Sequence, residues 1–277
     1  MNWEIEKHEK VWFRKGDINI FKELSLVVIL RIRNEEEIIK DTLDHIATFA
    51  DYICIYDDAS TDNTLEILKS HEKVFLIIEN KKWKKGISNR LLSETRHRGL
   101  LLNLANKYLK FKWCMCCDAD ERYIGDIREY VTSNTSHPDL FGIRIQLFDA
   151  YMTHGDDHSY EKGMPLLNFR NKFGPECRNI LMLWKNDPQV CYQGLDAREP
   201  SGVLNMEIKF HCQHYGKSLS YKHWQETCDY YVKNFPWDPY GMKWSARQGQ
   251  ALHTKSDFGN DLYDWGESLF INSITEF

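Results

Sequence analysis

The sequence lacks any apolar run long enough to span a bilayer, and its first ten residues, MNWEIEKHEK, alternate charges where a secretory signal would place an apolar core. The chain therefore reads as soluble and cytoplasmic, with no transmembrane segment. It lacks a basic excess as well: 36 Lys and Arg stand against 41 Asp and Glu, a formal net charge of -5, which leaves no footprint for nucleic acid. No CxxC pair occurs among the eight cysteines, at 54, 114, 116, 117, 177, 191, 212 and 228, and several fall inside apolar runs. Reduced, buried thiols are expected rather than a disulfide framework. GxGxxG is missing, which disfavours a dinucleotide dehydrogenase. RIRNEEE, which follows the first strong apolar run, contains no glycine, whereas a nucleotidyltransferase making nucleotide sugars needs a glycine-rich, basic loop there. No internal repeat or low-complexity linker divides the 277 residues, and 42% hydrophobic content suffices for a substantial core.

What is present is alternation. Leu24–Ile32 (LSLVVILRI) is nearly continuous in apolar and β-branched residues, as expected of a central parallel strand covered on both faces. A helix starting near Glu35 follows, with Ile38, Ile39, Leu43 and Ile46 at helical spacing. Residues 52–56 form a second buried strand ending in Asp57 and Asp58, and Ser60 or Thr61 caps a helix carrying Leu65, Ile67 and Leu68. A third strand over 74–78 and a long helix over 89–109 precede a fourth apolar run. Such βαβα order predicts an α/β, doubly wound, mostly parallel sheet, in which ligands bind beyond the carboxyl ends of the strands. The second half is less regular and reads as an irregular α+β region. It comprises a helix near 124–133, a strand near 140–148, a polar loop region over 151–175, short strands at 182–184, 190–192 and 208–212, and an amphipathic helix over 219–235. The aromatics of the tail, Trp237, Tyr240, Trp244, Phe258, Tyr263 and Trp265, serve either as a platform for sugar rings or as core packing.

The most informative stretch is KWCMCCDADE over residues 112–121, an apolar run that stops at Asp118, Ala119, Asp120 and Glu121. Carboxylates massed behind a buried strand are costly unless positive charge meets them. In extended chain Asp118 and Asp120 point the same way, and two hard oxygen ligands on one face suit Mg2+ or Mn2+. Taken alone, the motif reads better as a solvated acidic turn.

Four motifs in order decide between the two. Arg33, Asn34 and Glu35, then DDASTDNT from Asp57, then ETRHRGL from Glu94, then DADE from Asp118 resemble the (R/Y)NE, DDgStDgT, ARNxGL and DxD signatures of the GT-A glycosyltransferases of family 2. The resemblance implies a GT-A, Rossmann-like fold. It divides the chain into an N-terminal extension over 1–23, a nucleotide-sugar-binding half over 24–122 and an acceptor-side half over 123–277 that shares one core with the first. It implies that Asp58 accepts a hydrogen bond from the nucleobase, that Arg31 and Arg33 contact base or ribose, and that Arg96 reaches the nucleotide. Asp118 holds ribose or a metal-bound water, and Asp120 ligates the metal directly.

In the second half, MLWKNDPQVCYQGLDAREP over 182–200 and the later His214, Tyr215 and Gly216 resemble a bacterial subgroup's segment followed by HYG, which adds His214 as a metal ligand. The subgroup's His-Glu pair is absent. Glu199 matches its glutamate after one inserted residue, Asp196 lies nearby, and Glu199 is preferred over Asp196 as catalytic base. The implied activity is a hexosyltransferase-type, inverting, Mn2+- or Mg2+-dependent transfer from a nucleotide-diphosphate sugar, UDP-linked. The acceptor is a glycan, a lipid-linked sugar or another hydroxyl compound. The rivals are a catalytically weak sugar-nucleotide-binding or scaffold protein of the same fold and a sugar nucleotidyltransferase.

Overall fold

The computed structural model describes residues 3–15, 22–133, 139–156 and 158–273. A nine-stranded sheet in the order β1-β4-β3-β2-β5-β8-β7-β9-β6 runs through both halves. Its strands are β1 (Glu9–Phe13), β2 (Leu24–Ile32), β3 (Tyr52–Asp58), β4 (Val74–Asn80), β5 (Phe111–Cys117), β6 (Glu121–Ile124), β7 (Gly142–Tyr151), β8 (Lys172–Lys185) and β9 (Met206–His214). The centre, β4-β3-β2-β5, is parallel. Crossover helices α1 (Ile39–Ala47), α2 (Thr64–Ser70) and α3 (Ile87–Tyr108) cover it. The period-two geometry of β2 sends Leu26, Val28 and Leu30 into a core with α1, while Val27 and Ile29 pack on the other face with Leu101 and Ala105 of α3. The architecture is a mixed α/β fold with a largely parallel central sheet, consistent with the expected GT-A, Rossmann-like type.

The N-terminal segment joins this sheet. Glu9–Phe13 pairs antiparallel with β4, closing one edge. On the other side, β8 runs antiparallel to β5, and β7, β9 and β6 follow. The loop region expected over 151–175 and the short strand expected at 182–184 are different in the structure: β8 extends from Lys172 to Lys185 against β7. Two register shifts along the β7–β8 ladder break the alternation that would have betrayed a long strand. Residues 190–192 make one isolated bridge, Cys191 to Ser201, in place of a strand.

The helix start expected at Ser60 or Thr61 also moves, because α2 begins at Thr64 and its first N–H donates to Asp62 Oδ1 at 3.0 Å. Ser60 and Thr61 are used elsewhere. The Asn34 N–H donates to Ser60 Oγ at 2.9 Å, the Thr61 N–H to Asn34 Oδ1 at 2.8 Å, and the Glu35 N–H to Thr64 Oγ1 at 2.8 Å. The loops after β2 and β3 are thereby stitched together, with Asn34 (φ 55) and Ala59 (φ 61) in left-handed conformations at the seam.

The remaining helices are α4 (Ile127–Thr132), α5 (Tyr221–Asn234), α6 (Met242–Ser245) and α7 (Glu267–Ile271). All eight cysteines are free thiols and six of them are buried, which places the apolar-run cysteines where the sequence puts them. Among the described residues no helix is long and apolar enough to cross a membrane.

Candidate active site

The chain from Asp118 to Glu121 turns sharply between β5 and β6, and the turn is held from behind. Buried Arg122 donates to the carbonyls of Ala119 at 2.9 Å and Glu121 at 2.8 Å and pairs with Asp41 of α1 at 2.6 Å. Thr42 Oγ1 donates to the Ala119 carbonyl at 2.6 Å. Glu121 is turned inward: it accepts from the Asp118 N–H at 2.9 Å, from Arg198 Nη2 at 2.8 and 3.1 Å, and from the Tyr123 hydroxyl. Sequence reasoning gave Glu121 no role, yet it shapes the turn and positions Arg198. Only Asp118 and Asp120 of the acidic run face the cavity.

That cavity, of about 710 Å³, lies beyond the carboxyl ends of β2 and β5 and reaches across to β9 and α5. At its floor Asp118 meets Arg198 at 3.3 Å and Arg98 at 3.4 Å. Burial opposes ionisation of Asp118, but the two guanidinium charges outweigh it and hold the carboxyl below its ordinary range. Asp120 faces His214, with Nε2 at 3.2 Å from Oδ2, and Nδ1 of the same ring is 2.5 Å from buried Asp149. Burial again opposes the charges, yet flanking carboxylates raise His214 to about 10 and the imidazolium holds Asp120 at about 2. The β6–β9 register sets Glu121 directly opposite His214, which brings the DxD turn and the histidine together. His211, three residues before His214, stacks on Phe270 with ring centroids 4.3 Å apart and stays out of the site.

At the opposite end Arg31 and Arg33 line the cavity, while Asp58 lies behind them. The Asp58 carboxylate is buried and accepts from Arg31 at 3.0 Å, Arg90 at 2.9 Å and Asn80 at 2.9 Å. Desolvation would raise its pKa, but the Arg31 and Arg90 guanidinium charges drive it well below the usual carboxylate range. Arg31 also pairs with Glu94 at 2.9 Å, and Arg33 lies 4.1 Å over the Trp83 ring. Arg90 and Trp83 belong to this end of the site and carried no sequence signal of their own.

Neighbouring Asp57 is the opposite case: burial pushes it from 3.8 up to about 6, and its Oδ1 has no hydrogen-bond partner. Below pH 3.8 the group is protonated in both folded and unfolded chains, so it costs nothing. As pH rises towards about 6 the unfolded chain ionises first, and stability is lost. Asp57→Asn is accordingly expected to stabilise the protein by about 1–3 kcal/mol at pH 7.5, with the gain vanishing below pH 4, as read by urea melts at both pH values.

Two expected site residues lie elsewhere. Arg96 is buried on the other side of α3, where it clamps the N-terminal segment through Glu9 at 2.5 and 2.7 Å and the Glu4 carbonyl at 2.6 Å. A helix advances about 100° per residue, so residues two apart face nearly opposite ways, and Arg98 takes the cavity-facing position. Glu199 forms a bidentate pair with Arg144, both bonds 2.8 Å, outside the cavity. Asp196 lines it instead, in a left-handed conformation (φ 54), with the Tyr240 hydroxyl donating to Oδ2 at 2.6 Å. Burial raises its pKa despite that bond. Of the tail aromatics, Tyr240 and Trp244 line the cavity. Trp265 packs in the core against Phe148 and Phe173, and Trp237 and Phe258 are exposed.

The donor set of Asp118, Asp120 and His214 suits a divalent cation that accepts carboxylate and imidazole ligands. Gly216 leaves room beside it, since a Cβ there would stand 2.6 Å from Asp120 Oδ2 and 3.1 Å from His214 Nε2. Among the described residues the group whose ligand atoms all close to within 4.8 Å is a different one, Glu6, His8 and Glu9. Its members are engaged with one another, Lys84 and Arg96.

Residues 27–129 match the model of glycosyl transferase family 2. That segment, which holds the parallel centre of the sheet and the DxD turn, is similar to glycosyl transferase family 2. Uncharacterized proteins of Mycobacterium tuberculosis and Mycobacterium bovis are each 26% identical over 150 residues, covering 52% of this chain and 34% of theirs. The chain thus spans about a third of the length of these curated relatives. Similar solved structures include S. aureus TarS 1-349 in complex with UDP, at 12% identity and TM-score 0.44 over 79% of this chain and 68% of that one. The mannosyltransferase PcManGT from Pyrobaculum calidifontis, in complex with GDP-Man and Mn2+, is 13% identical with TM-score 0.39 over 89% of this chain and 70% of that one. At these scores the two overlaps bear on nothing further.

Proposed function

We propose that the protein transfers a sugar from a UDP-linked donor to an acceptor hydroxyl, with inversion and with dependence on Mn2+ or Mg2+. The observation that carries this reading is one cavity that unites Arg31 and Arg33 at one end, Asp118, Asp120 and His214 at the floor, and Asp196 on a wall. Asp118, Asp120 and His214 would hold the cation, which supplies Lewis-acid relief of the charge growing on the departing diphosphate. Arg31 and Arg33 orient the nucleoside, and Arg98 and Arg198 fix Asp118. Asp196 takes the acceptor's hydroxyl proton as that oxygen attacks the anomeric carbon from the face opposite the leaving group. This role passes from Glu199 to Asp196 because Glu199 is turned away and neutralised by Arg144. Burial raises the Asp196 pKa, which makes it a better proton acceptor than an ordinary aspartate.

The test is a thermal-shift series with UDP, UDP-glucose, UDP-GlcNAc and GDP-mannose, each with and without Mn2+, followed by assay of nucleotide release. We expect UDP compounds to raise the melting temperature only with Mn2+, and slow UDP release even without acceptor, since specific binding stabilises by mass action. Binding with no release across acceptors would favour a sugar-nucleotide-binding protein that has lost turnover. No binding of any nucleotide sugar would end the reading.

A further inference from the structure

The wall of the cavity beyond His214 is basic, on a chain whose formal net charge is -5. Lys217, Arg178, Arg247 and Lys243 all line it. Two carboxylates stand among them. Asp149 takes Lys217 and, at 2.9 Å, Arg178; Asp257 takes Lys217 again and, at 2.7 Å, Arg247. Lys217, Arg247 and Lys243 thus bring three cations to a wall with these two carboxylates, and Asp149 is shared further with Arg178 and His214.

Two features show that this charge is not spent inside the protein. Arg247 lies 5.1 Å over the Trp244 ring, which fixes the guanidinium, yet its Nη1 is buried with no hydrogen-bond partner. Lys243, four residues earlier, lines the same wall and has no ion-pair partner among the described residues. Partial burial and the Arg247 and Lys217 charges keep its ammonium below the usual lysine range. Like charges crowded on one cavity wall are repulsive until an anion sits between them. The wall is also set apart from the DxD turn, because His214 and Asp149 stand between Asp120 and Lys217.

We propose that Lys243 and Arg247, backed by Lys217, bind a phosphate or carboxylate carried by the acceptor, so that the hydroxyl compound this enzyme glycosylates is an anion. This rests on the donor reading above, which puts the nucleotide at the Arg31 end. The same phosphate chemistry could come instead from the donor's own diphosphate, and the experiment separates the two sources.

Inorganic phosphate is titrated by thermal shift into the wild type and into the Lys243→Ala/Arg247→Ala double variant, and UDP with Mn2+ is titrated into both in parallel. The expected result is saturable stabilisation of the wild type by phosphate, at least tenfold weaker in the double variant, with the UDP response unchanged. Equal phosphate responses in the two proteins overturn the proposal. A UDP response lost in step with the phosphate response assigns the cations to the donor diphosphate and overturns it too. A wild type that binds phosphate through these residues but never UDP sinks the donor reading, and the acceptor assignment falls with it. Lys243→Gln alone, at an exposed position, carries the same comparison should the double variant fail to fold.

Discussion

Asp120→Ala is expected to lower metal-dependent turnover of the nucleotide-sugar donor by more than about 100-fold while leaving the protein folded. The expectation combines two observations about one residue. Its carboxylate faces the cavity and His214, so removing it strips a hard oxygen ligand that, unlike Asp118 and Glu121, is not paired with Arg198. Its backbone, by contrast, is held without the side chain: the Tyr215 N–H donates to the Asp120 carbonyl at 2.8 Å, and Arg122 and Thr42 pin the preceding carbonyl. The turn should therefore survive the substitution, with His214 keeping its bond to Asp149. Nucleotide release in Mn2+, together with a circular dichroism melt, separates loss of chemistry from loss of fold. An Asp120→Ala protein with full Mn2+-dependent activity would remove this residue from the site.

The second large effect concerns the proton. Asp196→Asn is expected to reduce kcat by about 10²- to 10⁴-fold, the range for loss of a positioned general base, while the UDP thermal shift in Mn2+ is preserved. Glu199→Gln should stay within a few-fold of wild type, because it breaks only a half-exposed pair with Arg144 whose net worth is on the order of 1 kcal/mol or less. The two carboxylates lie three residues apart, so each serves as the other's control. The pH profile gives an independent reading. A base works ionised, and burial raises the Asp196 pKa, so the acid limb of kcat/KM should lie above the ordinary Asp range and disappear in Asp196→Asn. If Glu199→Gln were the crippled variant, the base would belong to Glu199 and a rearrangement of the 194–200 segment would have to deliver it.

The contrast between these carboxylates shows where sequence reading reached and where it stopped. The parallel centre was legible because β2, β3 and β4 are buried on both faces and their apolar runs are nearly uninterrupted. The polar residues at their ends follow from topology alone. β1 and β6 escaped notice because short strands with charged termini, Glu9–Phe13 and Glu121–Ile124, carry too little periodicity. Motif spacing located α3 but not which of its arginines faces the cavity. That choice depends on what each side of the helix packs against, and Glu9, the residue that claims Arg96, sits 87 positions away. Asp196 and Glu199 were distinguishable only once Arg144, 55 residues from Glu199, was seen to take the glutamate. Long-range ion pairs of this kind leave no local trace.

The pairing of β6 with β9 has a consequence for how the molecule can be taken apart. Glu121 to Ile124 hydrogen-bond only to residues 211–214 among the strands, so the turn bearing Asp118 and Asp120 is anchored on its far side by chain nearly ninety residues downstream. A fragment ending near residue 122 would contain every motif of the first half, and the Thr42 and Arg122 bonds behind the turn, yet lose the β9 ladder and the Tyr215 N–H bond to the Asp120 carbonyl on its far side. On the proposed function, donor binding and acceptor binding are then not two modules laid side by side. An exchange of the second halves between such chains would have to carry β9 across intact, or lose the anchor of the DxD turn.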